Sequence, residues 1–123
     1  MKIIEILKAR KAIASIYTDK ISAKLAYKFT KFLKETDTEE KFYREKLQSI
    51  MRVCGEKDKH GNLIETDGGI KVKDSEKDKC ITLIMELEAT DVDAPSTILS
   101  IDELGDIKIS TEDMIALFAF IKE

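Results

Sequence analysis

Apolar side chains recur at intervals of three and four residues along most of this chain, and the first stretch over which the period is lost is Glu56 to Asp74. A 3.6-residue period commits a segment to an amphipathic helix whose apolar stripe must be buried against a neighbour. The first such segment starts near residue 4, after a short extended lead, and runs to about Tyr17 through Leu7, Ala9, Ala12, Ile13 and Ile16. The second spans Lys20 to about Lys34, with Ile21, Leu25, Phe29, Phe32 and Leu33 on its stripe and Asp19 as N-cap. The third opens on Thr36 and Glu39, which have capping-box spacing, and continues to about Val53. Its inward positions are Tyr43, Leu47, Ile50, Met51 and Cys54, and Gly55 is its stop.

The interrupted stretch holds three of the five glycines and only four aliphatic residues, Leu63, Ile64, Ile70 and Val72. Thr66-Asp67-Gly68 lies between two short runs, Asn62–Glu65 and Gly69–Lys73, and predicts a β-hairpin. A two-stranded hairpin is marginal in water, so this arm (residues 56–74) must pack on a neighbour or move. A fourth helix follows from about Glu76 to Glu88, capped by Asp74 or Ser75, and pairs antiparallel with the third, the hairpin at their tip. Ser96–Ile101 and Ile107–Ile109 read as a short strand pair. Ser110 and Asp113 then start a final helix through Met114, Ile115, Leu117, Phe118 and Ile121. The expected fold is α+β and mainly α, with about five helices in a single domain over residues 1–123. The hairpin falls between helices three and four, and the strand pair before the last. So apolar an ending is either docked in the core or shown to a partner.

The formal net charge of −3 hides a strong segregation. Residues 1–34 carry nine basic and two acidic side chains, while residues 86–123 carry two basic and ten acidic ones. On the second helix Lys20, Lys24, Lys28, Lys31 and Lys34 recur at intervals of three and four, which aligns their ammonium groups into one ridge. Such a ridge can face a partner protein or the phosphates of a nucleic acid, but the favoured reading is a solvated helix face that meets the acidic carboxy-terminal third in the same molecule or in a neighbour. A dedicated nucleic-acid domain usually adds net positive charge, arginine contacts or exposed aromatics. Here only Arg10, Arg44 and Arg52 are present, and Phe29, Phe32 and Tyr43 fall on core stripes. The acidic third, notably Asp91, Asp93, Asp102, Glu103 and Asp106, can occupy a basic groove on another protein.

Motifs that carry chemistry are missing. His60 is the only histidine and sits in the turn Asp58-Lys59-His60-Gly61-Asn62, which lacks the glycine position and twelfth-place glutamate of a calcium loop. Two cysteines and one histidine have no zinc spacing. Cys54 and Cys80 fall on apolar helix faces and read as buried free thiols of a reducing compartment. No G-x-S-x-G, P-loop, G-x-G-x-x-G or H-E-x-x-H occurs. No catalytic residue, cofactor or metal is implied. The amino-terminal apolar run is broken at Glu5, so neither a secretory leader nor a membrane span is expected, and the cytoplasm is the expected compartment.

Two segments carry a resemblance: Lys20-Ile21-Ser22-Ala23-Lys24-Leu25-Ala26-Tyr27-Lys28 ahead of an acidic helix, and the arm Gly55–Asn62 continued by Ile70-Lys71-Val72-Lys73-Asp74. Together they resemble small proteins of unknown function encoded by phages and prophages of Gram-positive hosts. The resemblance implies a viral origin and no chemistry. The expected function is therefore non-enzymatic protein binding. Its target would be a host protein, such as a defence complex to be inhibited, or a phage structural protein during virion assembly. Self-association into a homodimer through the opposite charges, nucleic-acid binding by the lysine ridge, and a sponge for a nucleotide signal are the alternatives.

Overall fold

A computed structural model describes residues 1–16, 20–66, 69–105 and 107–122. In chain order its elements are α1 (Ile3–Ile16), α2 (Ala23–Glu35), α3 (Asp37–Cys54), β1 (Glu65–Thr66), β2 (Gly69–Ile70), α4 (Lys77–Glu88), β3 (Leu99–Ser100), α5 (Ile101–Leu104), α6 (Thr111–Leu117) and β4 (Ile121–Lys122). The fold is α+β and mainly α. The chain divides into two compact units, Met1–Glu40 with Asp91–Glu123, and Lys41–Thr90.

In the first unit α1 is the central element. Ile3, Ile6, Ala9, Ala12, Ile13 and Ile16 are all buried, and alanine at two of these positions lets a neighbouring backbone come close. Leu25, Phe29 and Phe32 of α2, Leu99, Leu104, Leu117 and Phe120 complete the same core. Phe32 and Phe120 meet edge to face with ring centres 4.9 Å apart, a favoured aromatic geometry. The α2 N-cap is Ser22, whose hydroxyl accepts from Leu25 N at 3.1 Å. The helix thus begins three residues later than the sequence suggests, and Lys20 precedes it. The expected cap, Asp19, lies outside the described residues. Thr36 is buried and turned back onto α2, donating to Phe32 O at 2.8 Å. Arg10 of α1 donates to Leu33 O at 2.7 Å and to Thr36 Oγ1 at 2.8 Å, a cation at the negative end of α2.

The end of the chain differs from expectation. Ile107 and Ile109 are half-buried and pack on the core without joining a ladder. The partner of β3 is β4, in parallel register, Leu99 opposite Ile121 and Ser100 opposite Lys122. This pairing arises because α6 stops at Leu117. A 3₁₀ turn over Phe118–Phe120 turns Phe120 into the core and releases the next two residues as a strand. Ser110 caps α6 as expected, accepting from Asp113 N at 3.1 Å.

In the second unit Ile50, Cys54, Cys80 and Leu87 are buried between α3 and α4, flanked by Tyr43, Leu47, Met51, Leu83 and Ile84. Cys54 ends α3 and touches Cys80 near the start of α4, while Tyr43 feels the charge of Glu88 at the far end of α4. The two helices are therefore antiparallel. Asp74–Glu76 forms a 3₁₀ turn leading into α4, with no side-chain cap at its start. The arm between them pairs Glu65 with Ile70 and Thr66 with Gly69, antiparallel as expected. Asp67 and Gly68, at its turn, lie outside the described residues. Further bridges join Gly55 to Val72 and Lys57 to Leu63, so the arm folds back on the end of α3.

Gly55 follows the last residue of α3 at a place with no room for a side chain. A Cβ there would sit 2.5 Å from Met51 O and 2.6 Å from Leu63 Cδ2. Gly55→Ala must push the α3 terminus and the arm apart and should lower unfolding free energy by about 1–3 kcal/mol. Urea unfolding followed by circular dichroism checks this, and an unchanged midpoint would contradict the close approach.

Candidate functional site

The lysine ridge and the acidic third meet in the first unit. Lys28 donates to Glu103 Oε1 at 2.6 Å and to Ile98 O at 3.1 Å. The same Oε1 accepts from Ser100 N and Ser100 Oγ, closing a capping box at the start of α5. These bonds, Lys28 first, hold the Glu103 carboxyl below the usual carboxylate range despite its burial. One member of each expected binding set is thereby spent on the other. Lys24, Lys31 and Lys34 are exposed on α2, and Lys20 is exposed ahead of it. On the acidic side Asp91, Asp93 and Asp102 are exposed, the backbone of Asp91 pairing with Lys2. Asp106 lies outside the described residues.

A second carboxylate fastens the loop before β3. Glu35 Oε2 accepts from Ser96 N at 3.0 Å and Ser96 Oγ at 2.5 Å, and Glu35 Oε1 accepts from Thr97 Oγ1. The hydroxyls of Ser96 and Thr97, helped by the nearby Lys31 charge, pull its pKa from 4.5 to about 2. Glu35 and Glu103 together pin the chain between Ser96 and Leu104 to α2.

The apolar ending divides between the two outcomes open to it, with Leu117 and Phe120 docked in the core and other apolar groups left outside. Ile115 on α6 is 70% exposed and Phe118, three residues on, is 73% exposed. Between α1 and α6 runs a groove of about 600 Å³ with Ala12 and Ala116 in its lining. Lys8 and Lys11 stand on the α1 wall, Glu112 and Asp113 on the α6 wall, and Ile115 at its edge. The signal was legible in principle. Met114, Ile115, Leu117 and Phe118 surround a helix too short to bury every side. On α2, Tyr27 is 68% exposed, at helical spacing from Lys24 and Lys31.

Groups that could carry chemistry are dispersed. His60 is exposed in a turn held by Asp58 Oδ1, which accepts from His60 N and Asn62 N. Cys54 and Cys80 are buried free thiols in contact, and burial, then Cys54, pushes the Cys80 thiol up to about 11. Among the described residues no cluster of His, Cys, Asp and Glu is placed to hold a metal ion, and no helix is long and apolar enough to cross a membrane. The chain matches no family model, no curated protein and no solved structure, so the chemistry of these surfaces has to speak for them.

Because the Glu35 pKa is depressed by folding, its stabilisation is complete above about 4.5 and is lost as pH falls toward 2. Glu35 is exposed, so solvent screening holds the effect to about 1 kcal/mol or less. Urea midpoints at pH 7, 4.5, 3 and 2 should fall less steeply for Glu35→Gln than for the wild type. Parallel acid profiles would contradict the assignment.

Proposed function

We propose that this protein acts by binding another protein, without catalysis, through a surface centred on Ile115 and Phe118. The observation that carries the reading is this pair of large apolar side chains, both more than two-thirds exposed and three residues apart, of which Ile115 also lines a charged groove. Protein interfaces combine an apolar or aromatic anchor with a polar rim, and this pair has Glu112 and Asp113 beside it. A fitting partner presents an apolar pocket or stripe with basic residues next to it. The acidic residues Asp91, Asp93 and Asp102 add long-range attraction to such a partner.

The non-enzymatic reading is supported by the position of the nucleophiles. A buried thiol with its pKa near 11 is protonated at neutral pH, and the histidine stands exposed in a turn of the arm. Resemblance to small phage and prophage proteins points to a bacterial host protein, with a defence complex ahead of a virion component as the target.

One observation favours nucleic acid as a second reading: Tyr27 is an exposed aromatic between Lys24 and Lys31, the arrangement that stacks a base and holds its phosphate. The two readings separate by mutation. Ile115→Asp with Phe118→Asp should leave the circular dichroism spectrum unchanged and abolish capture of the partner from a Gram-positive host lysate. Lys24→Glu with Lys31→Glu should leave that capture intact. The reverse pattern, together with nucleic-acid binding that weakens steeply with salt, overturns protein binding in favour of the lysine ridge.

A further inference from the structure

The second unit presents a face that its own residues leave incomplete. Among the described residues of 41–90 the buried apolar side chains are Ile50, Cys54, Cys80 and Leu87, between two helices, a small core for a unit of that length. Along one side of the helix pair runs a groove of about 400 Å³. Its apolar lining is Phe42, Ile50 and Val53 from α3 with Leu83 and Leu87 from α4. Phe42 is 47% exposed and Val53 is 54% exposed, so the apolar edge of α3 stands in solvent.

The polar groups of this groove decide what can cover it. Ser49 Oγ donates to Glu45 O and Thr90 Oγ1 to Glu86 O, so both hydroxyls keep a partner when water leaves. Two charged side chains remain, Lys46 on α3 and Glu86 on α4, each exposed and with no ion pair recorded among the described residues. They stand on opposite walls. The contact of Cys54 with Cys80 and the pull of Glu88 on Tyr43 set the antiparallel register, which puts positions 46 and 86 at about the same height.

We propose that this face binds a second copy of the chain, packing the two α3–α4 pairs into a four-helix bundle. A two-fold axis parallel to the helices is self-complementary here. It lays each α3 beside α4 of the second copy and brings each Lys46 to Glu86 of that copy at the same height, twice per dimer. A foreign partner would need to supply an acid and a base at matching height, whereas a second copy carries both. The bundle gives the exposed edge of Phe42 and Val53 a neighbour, the usual solution for a helix pair with an open apolar side. This surface is separate from Ile115 and Phe118, so either assignment can fail alone.

Sedimentation equilibrium of the full chain from about 1 to 300 μM tests it. The expected result is a reversible monomer–dimer equilibrium. Lys46→Glu alone and Glu86→Lys alone should each raise the dissociation constant about tenfold or more, since each places like charges together twice. The double exchange, Lys46→Glu with Glu86→Lys, should restore association. Both positions of this cycle are exposed, and circular dichroism verifies the fold of each variant. A monomer at every concentration overturns the proposal, as does a dimer indifferent to the single changes. So does a monomer that loses capture of a different protein on Val53→Asp, a result that would give the groove to a foreign helix.

Discussion

The bond between Lys28 and Glu103 decides how this chain's segregated charge is displayed. The first 34 residues and the last 38 carry opposite charges, which in an extended chain would be two separate poles. Folding sets one cation from the first beside one anion from the second at 2.6 Å, with both side chains mostly shielded from water. A charge-assisted bond in that setting is stronger than an exposed pair, and Ser100 fixes its acceptor from the other side. The clasp, with Glu35 holding Ser96 and Thr97, ties the segment between Ser96 and Leu104 to α2. What remains outward on α2 is a shorter ridge of Lys24, Lys31 and Lys34, and the apolar groups of α6 become the more distinctive surface.

The helices were legible because their burial follows directly from spacing. Leu25, Phe29 and Phe32 lie on the stripe that the sequence marks, as do Ile50 and Cys54, and each is buried. Capping by Ser110 was legible for the same local reason. The strand pairing was not. Ile107 and Ile109 have the alternation of a strand, but a ladder partner is a long-range choice, and the 3₁₀ turn after Leu117 hands that place to Ile121 and Lys122. Thr36 has the spacing of a capping box, yet Arg10, distant in sequence, offers its hydroxyl a better arrangement facing α2. Gly55 was found at the end of α3, but what requires glycine there is the close approach of Met51 and Leu63 rather than a positive φ, and sequence does not show that approach.

For the candidate surfaces, charge counting named the residues and allowed the basic and acidic sets to meet, without saying which members pair. Lys28 and Glu103 look like every other member of their sets until the chain between them folds, since 75 residues separate them. The assumption that apolar residues at helical spacing face inward left open whether Ile115 and Phe118 are covered, while Tyr27 lies off the apolar stripe of α2. A helix of seven residues with apolar groups on several sides cannot satisfy that assumption. Clustered apolar exposure, more than net charge, is thus the observation on which a binding role rests.

The direct measurement is a double-mutant cycle on the clasp, using Lys28→Met, Glu103→Gln and both together, with stability read from urea unfolding at pH 7. Glutamine keeps the capping box and methionine keeps most of the aliphatic stem, so the cycle isolates the pair. A coupling free energy of about 1–3 kcal/mol is the expected result. Additive effects, with coupling within about 0.3 kcal/mol of zero, would return both side chains to the solvent and contradict the account.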